Sequence, residues 1–361
     1  MRLLGNAVAS AVVLAALSGA VEAQVFGPLA NFDVVNNTGS TAHGFEIELE
    51  DLHSSNITDT FGGEGRGFPT TVQRYGAPSI VNYSDGVTFG VRVIYQATFD
   101  SLSSSWNVGT PTGVFNNPGD SCWTGGGIGY GPSTPCDHFG VGTNKNPTRT
   151  TYRWLTETAP NSPTLTRTVA NIPAPNWNVI PAPVVVGQPP APPVVVARIE
   201  APPVPEGPEP QFGTPIWVKV FTTEVEQHIE LEDLVANNPN VQAARSKTEI
   251  EWMLLQSDPK NAAAGVLENG AAAPVREKAE AVIRRYEFYE YTGEVNPEDN
   301  EAKPLLGDSH PSPGEIGNYL GAQNAALNLA LAPIPEPETY ALMAAGLLVV
   351  AGAARRRARR R

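Results

Sequence analysis

Alternation of apolar and polar positions governs the first half of the chain. Phe45, Ile47 and Leu49 alternate with Glu46, Glu48 and Glu50, which predicts a strand with one buried and one acidic face. Ser84-Asp85-Gly86 is a turn signal. It leads into Val87, Phe89, Val91, Val93, Tyr95, Ala97 and Phe99 at strict period two, with Thr88, Arg92, Gln96 and Thr98 on the opposite face. Asn36-Asn37-Thr38-Gly39 predicts a tight connection after a strand at Phe32–Val35. Glycine-rich stretches at 61–67 and 125–131 read as loops. Short strands separated by turn signals predict a β-sandwich-like domain over 24–172.

The pattern then changes. Residues 173–210 hold 13 prolines in 38 positions, a composition that favours a semi-rigid polyproline spacer. The Val184-Val185-Val186 and Val194-Val195-Val196 runs leave edge strands open as the alternative. From 211 to 295 a second β-rich domain is expected. It has strands at Ile216–Val220, Ile229–Leu234 and Glu249–Leu255, the last with Ile250, Trp252 and Leu254 on one face. Pro274 is placed to open a helix, because Val275, Ala279, Val282, Ile283 and Tyr286 recur at helical spacing and Arg284 and Arg285 fall near its last turn. Residues 296–333 read as loop and a short helix within Gly317–Leu331. The expected fold is mainly β: two β-sandwich-like domains, one or two helices in the second, and a C-terminal hydrophobic helix.

The ends of the chain carry the most specific signals. A single early positive charge, Arg2, precedes an apolar run from Ala7 to Leu17 and then Val21-Glu22-Ala23. This is the three-part plan of a secretory signal peptide over 1–23, with cleavage expected after Ala23; Ser18-Gly19-Ala20 offers a second site. At the other end, Pro335-Glu336-Pro337 is followed by an apolar run from Tyr340 to Ala354. The basic cluster Arg355, Arg356, Arg357, Arg359, Arg360 and Arg361 closes the chain. The stretch 334–361 resembles the PEP-CTERM sorting signal of Gram-negative bacteria, because three features occur in the right order at the C-terminus. The resemblance implies two partners, the general secretion machinery and an exosortase-type membrane protease, with transient inner-membrane anchoring before delivery to the cell surface or medium. Family context adds extracellular polysaccharide as a partner by analogy only.

Physical estimates fit that plan. Fifteen apolar residues make a helix of about 22 Å against a hydrocarbon core of about 30 Å, a short and weak anchor. The arginine cluster holds the tail in the cytoplasm with the body outside, and Pro335 and Pro337 keep the chain ahead of the helix extended.

Charge and cysteine usage narrow the body's role. Residues 24–334 keep 17 Lys+Arg and 34 Asp+Glu, a net charge of −17 against −13 for the whole chain. An acidic body argues against nucleic acid or an anionic membrane surface as its partner. The two cysteines, Cys122 and Cys136, bracket a Gly/Pro-rich excursion. In an exported chain they read as a disulfide, worth about 3 kcal/mol for a loop of this length. A metal site using both with His138 lacks a zinc-like spacing.

The search for chemistry is mostly negative. His43, His53, His138, His228 and His310 fall in no metal-ligand pattern, and no nucleophile elbow, P-loop or dinucleotide fingerprint occurs. Asn296–Glu301 lacks the order of a calcium loop. No cofactor is called for. Glu46, Glu48 and Glu50 would stand about 6.7 Å apart along one strand face, a spacing open to acid/base work but also to any polar face. Trp106, Trp123, Tyr130 and Trp154 could stack on sugar rings or pack a core. The expected function is a non-enzymatic exported surface or matrix protein. A carbohydrate-binding surface module is the alternative, and a secreted hydrolase a weaker one.

Overall fold

The structure, a computed structural model, describes residues 25–61, 74–109, 136–170, 172–183, 191–201, 204, 211–234, 249–261, 265–269 and 274–329. The strands are β1 (Val25–Val35), β2 (Ala42–Glu50), β3 (Ile57–Thr60), β4 (Ser79–Ser84), β5 (Phe89–Gln96), β6 (Thr98–Asp100), β7 (Ser105–Asn107), β8 (Cys136–Thr143) and β9 (Thr150–Glu157). They continue as β10 (Leu165–Val169), β11 (Asn176–Ile180), β12 (Val194–Glu200), β13 (Ile216–Val225), β14 (Glu249–Leu255), β15 (Val266–Asn269), β16 (Ala281–Tyr291) and β17 (Ile316–Leu329). Helical structure among the described residues is confined to three short 3-10 turns.

These strands form one sandwich. A seven-stranded sheet runs β14-β13-β16-β17-β1-β8-β3 and a five-stranded sheet runs β10-β9-β2-β5-β4. A three-stranded sheet, β11-β12-β15, joins the same core, and β6-β7 form a small ribbon. All named pairings are antiparallel. The sheets meet through aromatic rings. Phe32 of β1 stacks on Tyr152 of β9 at 4.4 Å, and Phe139 of β8 stacks on Phe45 of β2 at 4.3 Å. Trp154 meets Phe45 edge-on at 4.9 Å. The Tyr95 hydroxyl crosses the layer to donate to the Phe61 carbonyl at 2.8 Å, so its burial leaves no orphaned polar group. The same core runs on through Trp177, Val195 and Ile199 of the three-stranded sheet to Val218, Val282 and Tyr286. A second, smaller cluster sits on the other face of the seven-stranded sheet, where Ile229, Leu231 and Leu234 cover Leu29, Ile283 and Ala326.

Five expectations are corrected. The division into two domains fails, because β1, β3 and β8 from before the proline-rich segment share one sheet with β13, β14, β16 and β17 from after it. The segment is not simply a spacer: β11 and β12 pair from Asn176↔Arg198 to Ile180↔Val194 and bury Trp177 and Val195. The helix expected from Pro274 is a strand from Ala281. Val282, Arg284, Tyr286 and Phe288 face the core while Ala281, Ile283 and Glu287 are buried on the opposite face, so period two is hidden. Its β-branched and aromatic residues supply the strand preference.

The helix expected within Gly317–Leu331 is likewise β17. Its small Ala322, Ala325 and Ala326 are fully buried between β1 and β16, and tertiary packing overrides alanine's helical preference. Gly321, at φ +155°, lets β17 approach the Asp33 carbonyl where a Cβ would collide. The strand expected at Ile229–Leu234 is a covering segment ending in a 3-10 turn, Leu231–Leu234.

Because β17 is an interior strand, the fold depends on its presence. A chain of residues 24–332 is expected to unfold in one cooperative urea transition followed by circular dichroism. A chain ending at residue 295 is expected to lack that transition. A cooperative transition in the shorter chain would restore the two-domain division.

Candidate functional site

The acidic face of β2 is built as anticipated, but it is neutralised. Glu46 and Glu48 point away from the core, and strand register sets Arg92 of β5 and Arg153 of β9 beside them. Arg153 reaches Glu46 at 3.3 Å and Glu48 at 2.9 Å, Arg92 reaches Glu48 at 2.6 Å, and Arg167 of β10 reaches Glu46 at 2.9 Å. The Arg92 guanidinium also lies 4.1 Å over the Tyr83 ring, a further stabilising contact for a cation. The arginine stems cover Glu46 so fully that it is 0% exposed on an outward face.

Burial alone would raise the Glu48 carboxyl. Hydrogen bonds from Arg153 and Arg92 outweigh it and hold the group below the usual carboxylate range. A carboxylate held ionised by arginines is a poor general acid, so the row serves as a clamp across four strands. The arginine side chains are 21–51% exposed, so removing one partner costs less than the about 3–5 kcal/mol typical of a fully buried pair.

A second titratable group sits at the start of β8. Asp137 faces the core and accepts from Arg74 Nε at 2.9 Å and the Tyr75 hydroxyl at 3.2 Å. Full burial pushes its carboxyl up to about 7, against the opposing pull of Arg74. One residue on, on the opposite face, His138 Nδ1 lies 2.5 Å from Asp33 of β1, with Phe61 edge-on to the imidazole at 4.3 Å. Asp33 and His138 thus pair across β1 and β8, and no cluster with a metal-holding set occurs among the described residues.

The other candidates are dispersed. Trp154 is core and 0% exposed. Trp106 is half-buried, stacks on His43 at 5.0 Å and donates to the Ser162 carbonyl at 3.0 Å. Trp123 and Tyr130 lie outside the described residues. Trp106 and Trp154 therefore form no shared exposed platform. Burial of His43 lowers its pKa despite Glu157 nearby. His53 stacks on Phe89, and His310 lies in the loop before β17. His228 lies in a cleft of about 310 Å³, where its Nε2 is 3.0 Å from the Leu329 carbonyl oxygen. Asp59, Glu230, Asn144 and Asn328 line the same cleft. The Asn296 turn closes on itself through backbone bonds to Glu301 and Asn300.

That cleft lies where the chain ends meet. Val25 is the register partner of Leu329. Beyond Leu329 come the residues singled out for sorting. Residues 333–360 match the family model for the PEP-CTERM protein-sorting motif. The motif marks the chain for export and sorting to the cell envelope, and it implies recognition by exosortase-type processing machinery. No curated protein and no solved structure matches the chain.

Pro335, Glu336, Pro337 and the six tail arginines lie outside the described residues, as do Ala23 and Cys122; Cys136 opens β8. No described helix is long and apolar enough to cross a membrane. Sequence reasoning placed Arg92 on the outward face but missed its pairing with Glu48, and it missed Arg153, Arg167 and the Asp33–His138 pair. The available signal was parity: Arg92 and Arg153 each occupy the outward position of a strand flanking β2.

The raised Asp137 carboxyl makes stability depend on pH. Its folded value of about 7 lies above the unfolded value of 3.8, so the folded state binds the extra proton. Its contribution is complete below pH 4 and is lost as pH rises towards 7. Asp137→Asn is expected to flatten that fall in a series of thermal melts from pH 4 to 8. An unchanged slope would contradict the assignment.

Proposed function

We propose that the protein is an exported surface or extracellular-matrix component whose body has a structural or binding role rather than a catalytic one. The carrying observation is the sorting motif at 333–360 directly after the last strand of the fold. The state of the body's acid and base groups supports the same reading. Glu46 and Glu48 are bound by arginines, Asp137 by Arg74 and Tyr75, and Asp33 by His138. Each is committed to a partner within the fold. The −17 charge of residues 24–334 suits a soluble body that leaves the membrane once its tail is gone.

On this reading the N-terminal segment is removed during export and the C-terminal tail holds the body at the inner membrane until processed. Intact mass and fractionation in the native host test it. The wild-type protein is expected to lack both ends and leave the inner membrane. A Pro335-Glu336-Pro337→Ala variant is expected to keep its tail and stay there. A wild-type protein that retains the arginine cluster in the inner membrane would sink the reading and leave a plain tail-anchored protein.

A further inference from the structure

The first and last strands are hydrogen-bonded neighbours running in opposite directions, with Val25 opposite Leu329. The chain therefore enters and leaves the sandwich at the same end. The expected signal cleavage after Ala23 lies two residues before Val25, and the matched motif starts four residues after Leu329. An extended residue spans at most about 3.6 Å, so these points lie within about 7 Å and about 14 Å of that strand end. The apolar run itself begins at Tyr340, eleven residues after Leu329, so the tether to the bilayer spans at most about 40 Å, no longer than β17, and the end it leaves from stays the nearer one.

We propose that this end of the sandwich is the membrane-facing pole, and that the tail-bearing precursor rests on the phospholipid surface as a completed fold. The inference deepens the sorting reading and rests on it. Completion follows from topology. β17 pairs with β16 on one side and β1 on the other, so the seven-stranded sheet closes only when Leu329 has been exported. The motif is then only four residues behind. Closing the sheet and seating the tail are thereby adjacent events, and the processing machinery meets a folded body.

The chemistry of the pole sets how it is held. The segment leaving β13 and the one entering β16 meet there: Glu280 N–H donates to the Val225 carbonyl, and Leu329 N–H donates to the Glu280 carbonyl. Glu224, Glu226, Glu230 and Glu280 at this end outnumber Arg276 and Lys278, and Arg276 is bound to Glu224 at 3.1 Å. Such a surface has no attraction for an anionic leaflet. Among the described residues no basic face holds the pole to lipid, so it lets go when the tail is removed. The loop 292–315 marks the far end of β17, about 45 Å away at roughly 3.3 Å per residue; Leu305 on it is 77% exposed.

Site-specific photo-crosslinking in the Pro335-Glu336-Pro337→Ala precursor tests the proposal. p-Benzoylphenylalanine replaces Glu230 or Leu305 in separate proteins, with the exposed Glu226 as a second pole position. Fractionation comes first, and a precursor found in the soluble fraction overturns the sorting reading and this inference together. In a membrane-held precursor the pole probes are expected to form lipid or membrane-protein adducts several-fold above the Leu305 probe. Those adducts should vanish in the released wild-type protein. Equal adducts from both ends, or an excess from Leu305, would overturn the membrane-facing pole while leaving sorting intact.

Discussion

The ladder between β1 and β17, from Val25↔Leu329 to Val34↔Gly321, holds the first and last strands of the fold together in the interior of the larger sheet. β8 and β3 hang on the free side of β1, and β16, β13 and β14 on the free side of β17. Without the ladder the seven-stranded sheet separates into two short sheets, each exposing a row of unpaired backbone groups. The aromatic layer of Phe32, Phe45, Phe139 and Trp154 would also lose one wall. Gly321 is the local condition for that closeness, since a side chain there would strike Asp33.

How well an element reads from sequence follows how many of its faces are buried. β2 and β5 have one buried and one solvated or ion-paired face, so their alternation is plain in Phe45–Glu50 and Val91–Gln96. β16 and β17 are covered on both faces, by the core on one side and largely by the Ile229–Leu234 segment on the other. Their apolar residues therefore carry no strict period, and a helical spacing through Val275 and Tyr286 arises by coincidence. The proline-rich segment misleads for another reason: its prolines flank β11 and β12 and spare the paired positions. No local feature announces that residues 25 and 329 meet, because that pairing is a property of the whole chain.

The sorting motif was legible because it is a property of local sequence: a Pro-Glu-Pro triplet, an apolar run and a basic cluster in that order. The body's chemistry was not, because a glutamate row in isolation does not reveal whether water, a substrate or Arg92, Arg153 and Arg167 will face it. The structure supplies the arginines. The result is an acidic body whose first and last described strands end together, with Val25 opposite Leu329.

Native-state hydrogen exchange of the processed protein tests the central claim most directly. Amides of β1 and β17 should exchange only through global unfolding, with the same opening free energy as those of β2 and β9. A cooperative unit containing β13, β14, β16 and β17 that opens at lower free energy, while β2, β5 and β9 stay protected, would contradict a single sandwich closed by its two ends.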